Sequence, residues 1–253
     1  MNQYDDLTEY LLRLGDSAVV QGQRLCEWCG RAPALEEEMA LMNVGLDLFG
    51  QARNWLEFTA ELLNDGRSAD QLVFCRDERA YRNLLLVEQP NGDFAVTMLK
   101  QFFYDAWHYH VLTALKASSD KRVAAIAAKA LKEVTYHLRR SSDWVQRLGD
   151  GTEESHDRMV KALDVVWRFT VELVSGDEVE NRLAAAGVIA APELIAEQWL
   201  ATVSQVLEQA TLTVPSAAPS FYLSGREGMH TESLGLLLAE MQFLQRAYPD
   251  AVW

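Results

Sequence analysis

Cysteine is scarce in this sequence. There are three cysteines in 253 residues, and an odd number cannot all pair in disulfides. Cys26 and Cys29 form a C-x-x-C motif, but no second such pair completes a zinc site and no strand–helix–strand setting supports a redox site. We therefore interpret both as ordinary buried thiols of a protein in a reducing cytoplasm.

Long apolar runs and clusters of positive charge are also missing. No stretch of about 18 apolar residues occurs, and the N-terminal residues MNQYDDLTEY carry acids where a signal peptide carries Lys or Arg, so we expect no membrane span. The formal net charge is −14 and no Lys/Arg block occurs, which excludes nucleic acid as an expected partner. Coenzyme A carries several negative charges, so we do not expect an acidic chain without a basic cluster to bind it on its own.

The third absence is strand-like alternation, and helical periodicity takes its place. Apolar residues recur every three or four positions, as on one face of a helix. One helix ends and the next begins at Gly30 and Pro33. Three further helices begin after the capping residues Asp93, Asp120 and Thr152. The predicted helices span approximately residues 5–28, 35–64, 94–118, 121–148, 153–174, 178–186, 193–212 and 232–248, and residues 67–92 are predicted irregular or short-helical.

The lengths and connections of these helices predict the fold class. The first four long helices form two hairpins with short turns, joined by one longer crossover at 65–92. That pattern is typical of an all-α, ferritin-like four-helix bundle. We predict a single domain over 1–253, with the core bundle at about 5–148 and additional C-terminal helices at 152–248 packed outside it.

A ferritin-like bundle often holds two irons or manganeses, with a carboxylate from one helix of each pair and Glu-x-x-His from the other. In the second pair, Asp105 is an inward-facing acid and Glu133 fits the start of the motif. Tyr136 stands three residues later, where the histidine belongs. His137 comes one residue late, about 100° around the helix, and is interpreted as out of phase.

The first helix pair is poorer in ligands. Asp47 fits the start of the motif, but Gly50 stands in the histidine position and has no side chain to coordinate. The preceding helix offers Ser17 and Gln21, with Asp16 slightly off phase. The sequence therefore predicts no metal in this chain, only vestigial ligand positions. We expect salt bridges or hydrogen bonds in their place, with these candidate cations: Arg53, Lys129, Lys132, Arg139 and Arg140.

Three alternatives stay open. Asp105 and His108 lie three apart, like a ligand pair, but a partly buried, hydrogen-bonded histidine is the favoured interpretation of His108. The polar stripe of Asn43, Asp47, Gln51 and Asn54 fits either a solvated face or a polar seam in the core. An autonomous metalloenzyme would use an atypical site built on His108, His137 or His230.

Several irregular segments resemble one known family, the C subunit of phenylacetyl-CoA ring 1,2-epoxidase, an enzyme also called phenylacetate-CoA oxygenase. The turn EQPNGDF at 88–94 and GMHTE at 228–232 are the most distinctive. The resemblance also rests on these segments: LRLGD (12–16), RLCEWCGRAPALEEEMAL (24–41), VGLDLFGQARN (44–54), FCRDERAYRNLLLVEQPNGDFA (74–95), AKALKEVTYHLRRS (128–141), VWRFT (166–170) and GREGMHTESLGLLLAEMQFLQR (225–246).

The resemblance implies a ferritin-like, non-catalytic structural subunit of a bacterial multicomponent monooxygenase that epoxidises the ring of phenylacetyl-CoA during aerobic phenylacetate degradation. It implies two partners, a paralogous catalytic subunit that holds a di-iron centre and a reductase that delivers electrons from NADPH. It implies no catalytic residue and no cofactor in this chain.

A structural subunit needs a partner surface. The third long helix carries aromatic side chains on more than one face, more than one core requires. We predict that the second and third long helices provide the surface, with Phe103 and Trp107 as interface residues.

Overall fold

The computed structural model of the chain describes residues 4–249 and 251. Within that range the regular structure is helical and contains no strand, so the predicted all-α class is confirmed. The α-helices are α1 Asp6–Cys26, α2 Leu35–Leu63, α3 Ala69–Phe74, α4 Leu85–Glu88, α5 Phe94–Leu115, α6 Lys121–Gly149, α7 Glu153–Val166, α8 Val171–Val174, α9 Glu178–Ala185, α10 Pro192–Gln209, α11 Glu232–Met241 and α12 Phe243–Ala247.

Side-chain caps explain why the helices begin where the sequence predicts. Asp93 accepts a hydrogen bond from the Val96 backbone N–H at the start of α5, and Asp120 accepts from Val123 at the start of α6. Each satisfies a backbone donor that has no partner inside the helix. The predicted boundaries of the first four long helices are confirmed to within a few residues. The fifth helix, predicted over 153–174, ends at Val166 and is followed by a 3-10 turn at Trp167–Thr170 and by α8.

The chain divides into two compact units. Unit 1 contains the residues up to Pro90 together with those from Leu223 onward, and unit 2 is Asn91–Tyr222. Each unit contains one long helical hairpin, α1–α2 in unit 1 and α5–α6 in unit 2, and these hairpins are consistent with a ferritin-like bundle. The prediction of one domain over 1–253 stays a prediction.

In unit 1, glycines bring α1 and α2 into close contact. A Cβ on Gly22 would lie 3.1 Å from the Gly45 carbonyl oxygen, and a Cβ on Gly45 would lie 3.2 Å from the Gly22 carbonyl oxygen. Neither position has room for a larger residue without a shift of the helices. The crossover that follows α2 contains α3, a 3-10 turn at Glu78–Ala80 and α4, and α11 contacts α4.

In unit 2, α7 and α10 pack against α5 of the hairpin. The contact is centred on Phe103, whose ring lies 5.6 Å from that of Trp199 and 5.9 Å from that of Trp167. Trp199 Nε1 donates a 2.9 Å hydrogen bond to the Phe103 carbonyl oxygen. The helices after α6 therefore cover a second face of α5 in this unit.

Candidate functional site

The orientation of α6 decides which of its polar residues face inward. His137 is fully buried, whereas Tyr136 is 56% exposed and Glu133 is half-buried. The prediction that Tyr136 takes the inward histidine position is wrong. The buried stripe runs through Ala130, Val134 and His137, so the helix is turned about one residue from the phase that Glu133 had suggested.

Asp105 on α5 is an acid buried to 1% exposure. Neither of its carboxylate oxygens has a hydrogen-bond partner within normal distance among the described residues. Burial raises the pKa of Asp105 to about 6, and His137, Ser141 and Arg140 of α6 act against that rise. The expected network is thus present only as a set of polar neighbours, without a close ion pair to the Asp105 carboxylate in the described part of the chain.

The candidate cations occupy different environments. Arg140 is buried, with Nη1 3.9 Å from the sulfur of Met98, and it is the one that influences Asp105. Arg53 is exposed and forms a 2.7 Å ion pair with Glu57, one helical turn away. The side chain of α6 with the largest effect on Asp105 is His137, which the two-metal template had placed out of phase.

His108 is fully buried on α5, one helical turn from Asp105, whereas the favoured interpretation expected a partly buried histidine. Its ring centre lies 5.1 Å from that of Tyr104 and 6.2 Å from that of Trp107. Its Nδ1 has no hydrogen-bond partner in the described chain, so the expected hydrogen bond at that atom is missing. Burial, together with nearby His137, lowers the pKa of His108 to about 3 and keeps the ring neutral.

On α2, Asp47 is half-buried and Gly50 is exposed. A Cβ on Gly50 would meet no atom within 4 Å, so the position faces open space. Asn54 donates a 2.8 Å hydrogen bond to the Gly50 carbonyl oxygen. Gln51 is buried whereas Asn43 is exposed, so the polar stripe is partly a solvated face and partly core.

The two predicted interface residues are not on the surface. Phe103 is fully buried and Trp107 is 5% exposed. The prediction that they contact a partner is wrong for this chain, because α10 and the residues that follow α7 use the second apolar face of α5.

The thiols also differ from the expectation of buried cysteines. Cys26 is half-buried, and both Cys29 and Cys75 are exposed. All three are free thiols, and burial, with a smaller effect of Cys29, raises the pKa of Cys26.

A dense polar network in unit 1 was not predicted from the sequence. Glu88, at the end of α4, is fully buried and accepts hydrogen bonds through both carboxylate oxygens. The donors are Asn83 Nδ2 at 2.9 Å, and the Thr231 backbone N–H and hydroxyl at 2.7 and 2.8 Å. His230 Nδ1 lies 2.8 Å from the same carboxylate. One acid therefore joins the EQPNGDF and GMHTE segments.

His230 uses both ring nitrogens in this network. Its Nε2 lies 3.1 Å from the Tyr81 carbonyl oxygen, and its Nδ1 faces the Glu88 carboxylate. Both partners accept hydrogen bonds when Glu88 is ionised, so the arrangement fits an imidazolium that donates twice. Neither nitrogen is left to bind a metal, which removes His230 from the atypical metal site.

A second buried acid, Asp16 of α1, binds the middle of the crossover. Arg76 forms two hydrogen bonds to the Asp16 carboxylate, one of 3.0 Å from Nη1 and another from Nη2. The Arg82 backbone N–H donates to the same carboxylate at 2.8 Å. This is the bidentate geometry in which an arginine best compensates a buried carboxylate. The unusual richness of RDERAYRN in arginine was the signal in the sequence.

The described residues define a class of protein. It is an all-α protein with two long helical hairpins, and among residues 4–249 and 251 no group of three or more His, Cys, Asp or Glu side chains could hold a metal ion. Gly50 and Tyr136 supply no ligand, so the residues present do not fit the two-metal template. Within the same range, no helix is long and apolar enough to cross a membrane.

Comparisons with known proteins give the family. The family model described as "Phenylacetic acid catabolic protein" matches residues 1–253. The C subunit of the 1,2-phenylacetyl-CoA epoxidase of Escherichia coli (strain K12) is 51% identical over 253 residues, which is 100% of both chains. The chain belongs to the phenylacetic acid catabolic protein family.

Proposed function

We propose that the chain is a non-catalytic structural subunit of a multicomponent monooxygenase that epoxidises the ring of phenylacetyl-CoA. The observation that carries the proposal is the full-length similarity to a protein named as the C subunit of such an epoxidase. The ligand positions support the non-catalytic role, because Gly50 has no side chain and Tyr136 points outward.

The proposed partners are a paralogous catalytic subunit that holds a di-iron centre and a reductase. The chain would support the catalytic subunit, and its own buried acids would serve folding. In unit 1 the acids at positions 16 and 88 are satisfied by protein donors, so they have structural partners without any metal.

The test is to co-express the chain with the candidate partner subunits, purify the assembly through a tag on this chain and measure its mass. Epoxidation of phenylacetyl-CoA is then assayed for the chain alone, for the partners alone and for the assembly. The proposal expects activity that needs the partner and rises when this chain is present. Activity of the chain alone would overturn it.

The alternative is an autonomous ferritin-like metalloenzyme with an atypical site. Asp105 and His108 favour it, since both are buried on α5 with side-chain atoms that lack hydrogen-bond partners in the described chain. Iron and manganese analysis of the separately purified chain discriminates the two functions. Two metal ions per chain, lost on Asp105→Asn, would establish the alternative.

A further inference from the structure

One face of α2 in unit 1 exposes large apolar side chains. Leu35, Met39 and Leu46 are 68%, 57% and 61% exposed, among the most exposed apolar residues of the described chain. Their spacings of four and seven residues place them on one side of the helix. Half-buried Met42 lies between them. We call this stripe, with Gly50, the α2 face.

Gly50 is the second observation. Glycine inside a helix is unfavourable by about 0.5–1 kcal/mol against alanine. The other glycines within α1 and α2 have a reason inside the chain, because a Cβ on Gly15, Gly22 or Gly45 would lie 2.6 to 3.0 Å from its nearest neighbour. A Cβ on Gly50 would meet nothing within 4 Å. A close approach by an atom from outside the chain would explain a glycine here.

A cavity of about 360 Å³ in unit 1 opens next to this stripe. Phe49 and Arg53, the residues one before and three after Gly50, are part of its lining, which consists mainly of apolar side chains such as Leu56, Val73 and Phe74. An apolar pocket of that size accommodates one large side chain. Interfaces commonly concentrate their affinity in such an anchor.

The acidic charge of α2 indicates which kind of partner would bind to the α2 face. Helix α2 carries six acids and a single base, Arg53, which is paired with Glu57. The whole chain has a formal net charge of −14. A second copy would bring two acidic helices together, whereas a helix with Lys or Arg beside its apolar ridge would be attracted.

We propose that the α2 face docks an amphipathic helix of another subunit of the complex, apolar along its centre and basic along its edges. This helix crosses α2 closest at Gly50 and places a large apolar side chain in the cavity beside Phe49. The proposal rests on the proposed function, because it requires that the chain has partner subunits.

Gly50→Ala gives a signature that few other mechanisms would produce. In the isolated chain, alanine improves helix propensity at an open position, so the thermal midpoint should rise by about 1–4 °C. In the assembly, the added methyl group obstructs the crossing, and the affinity for the partner should fall about tenfold. Gly50→Leu should weaken binding by about 100-fold or more, again without loss of the folded chain.

Leu46→Asp is the matched test of the apolar stripe, and its expected effect is also about 100-fold weaker binding. Val165→Asp on α7 is the control, since Val165 is a comparably exposed apolar residue in unit 2 at 52%. Each variant is purified as the tagged full-length chain and is titrated against the partner subunits identified by co-expression, which are purified separately. Thermal unfolding of each free chain confirms that it is folded.

The outcomes separate this inference from the proposed function. Weakened binding by the Gly50 and Leu46 variants, with normal binding by Val165→Asp, supports the α2 face. Normal binding by all variants overturns the α2 face and leaves the structural-subunit role standing. No binding of any subunit by the wild-type chain overturns both. A homodimer broken by Leu46→Asp would overturn the basic partner helix.

Discussion

The most deeply buried acids of the two units have opposite surroundings. In unit 1, the Asp16 carboxylate accepts hydrogen bonds from Arg76 and Arg82, and the Glu88 carboxylate accepts them from Asn83 and Thr231 and contacts His230. In unit 2, Asp105 is equally buried, yet its oxygens lack close partners among the described residues. Burial of charge is favourable only when donors surround it. The acids of unit 1 are therefore structural connections, whereas no described residue compensates the Asp105 carboxylate in the same way.

Removal of Arg76 should produce the largest effect. Arg76→Ala leaves Asp16 buried with one backbone donor, and loss of one partner of a buried ion pair typically destabilises a protein by about 3–5 kcal/mol. Urea unfolding monitored by circular dichroism measures the change. The exposed pair gives the control, since Arg53→Ala removes the partner of Glu57 at the surface and should leave the free energy of unfolding almost unchanged.

Replacement of both partners sharpens this test. The double variant Asp16→Leu with Arg76→Met exchanges the ion pair for apolar side chains of similar size, and such exchanges are often neutral or stabilising. It should recover most of the stability that Arg76→Ala loses. Equal damage in the single and double variants would show that Arg76 acts through packing on Tyr81, over whose ring its guanidinium lies at 4.5 Å, and not through Asp16.

Glu88→Gln should come next, with a loss of about 2–3 kcal/mol. The amide keeps the shape of the carboxylate but turns one acceptor oxygen into a donor, which then faces N–H and O–H groups that also donate. The segment from Gly228 to Thr231 should also become accessible to protease, because Glu88 is its connection to α4. Glu154→Gln on α7, an exposed pair with Arg158, is the control and should change little. Unaltered stability of Glu88→Gln would contradict the role of both Glu88 oxygens as hydrogen-bond acceptors.

The helices could be predicted from the sequence, but this network could not. Caps such as Asp93 and Asp120 are local signals, and they fixed the helix starts. Asp16 and Arg76 are 60 residues apart, and no periodicity reports which arginine reaches which acid. The phase of α6 could be predicted, because Ala130 and Val134 lie on the same side of the helix as His137 and are apolar. A two-metal template that starts at Glu133 predicts a different phase.

Phe103 shows a different limit. Its helix carries apolar side chains on more than one face, and this pattern indicates that several faces are covered without saying what covers them. The cover turned out to be Trp167 and Trp199 of the same unit. The sequence alone shows that Gly50 cannot be a ligand, but only the structure shows that it faces open space.

Asp105→Asn tests the other side of the comparison. The folded-state pKa of Asp105 is about 6, above its ordinary 3.8, so its contribution to stability is full below about pH 4 and is lost as pH rises through about 6. Asparagine does not ionise, so the Asp105→Asn variant does not lose this stability as pH rises. The variant should match the wild type near pH 4 and exceed it by roughly 2–3 kcal/mol at pH 8 in urea unfolding. Asp164→Asn, at an exposed position of α7, should follow the wild type at both pH values. A less stable Asn variant at pH 8 would mean that His137 and Arg140 satisfy an ionised Asp105.

His108→Gln should have the smallest effect, and its sign is opposite. The pKa of His108 is lowered to about 3, so its contribution to stability is full above about pH 6.5 and declines as pH falls, because the unfolded chain gains a proton that the folded chain excludes. At pH 5.5 the free energy of unfolding of the wild type should have fallen by about 1–2 kcal/mol for this reason, and that of His108→Gln should not show this fall. Between about pH 4 and 6, the Asp105 and His108 contributions run in opposite directions and largely cancel in the wild type. The single variants should therefore show opposite pH slopes in that range, and the double variant should show neither. Parallel slopes in both single variants would mean that Asp105 and His108 titrate as one coupled pair. The contrast between the acids of the two units would then rest on that pair instead of on Asp105 alone.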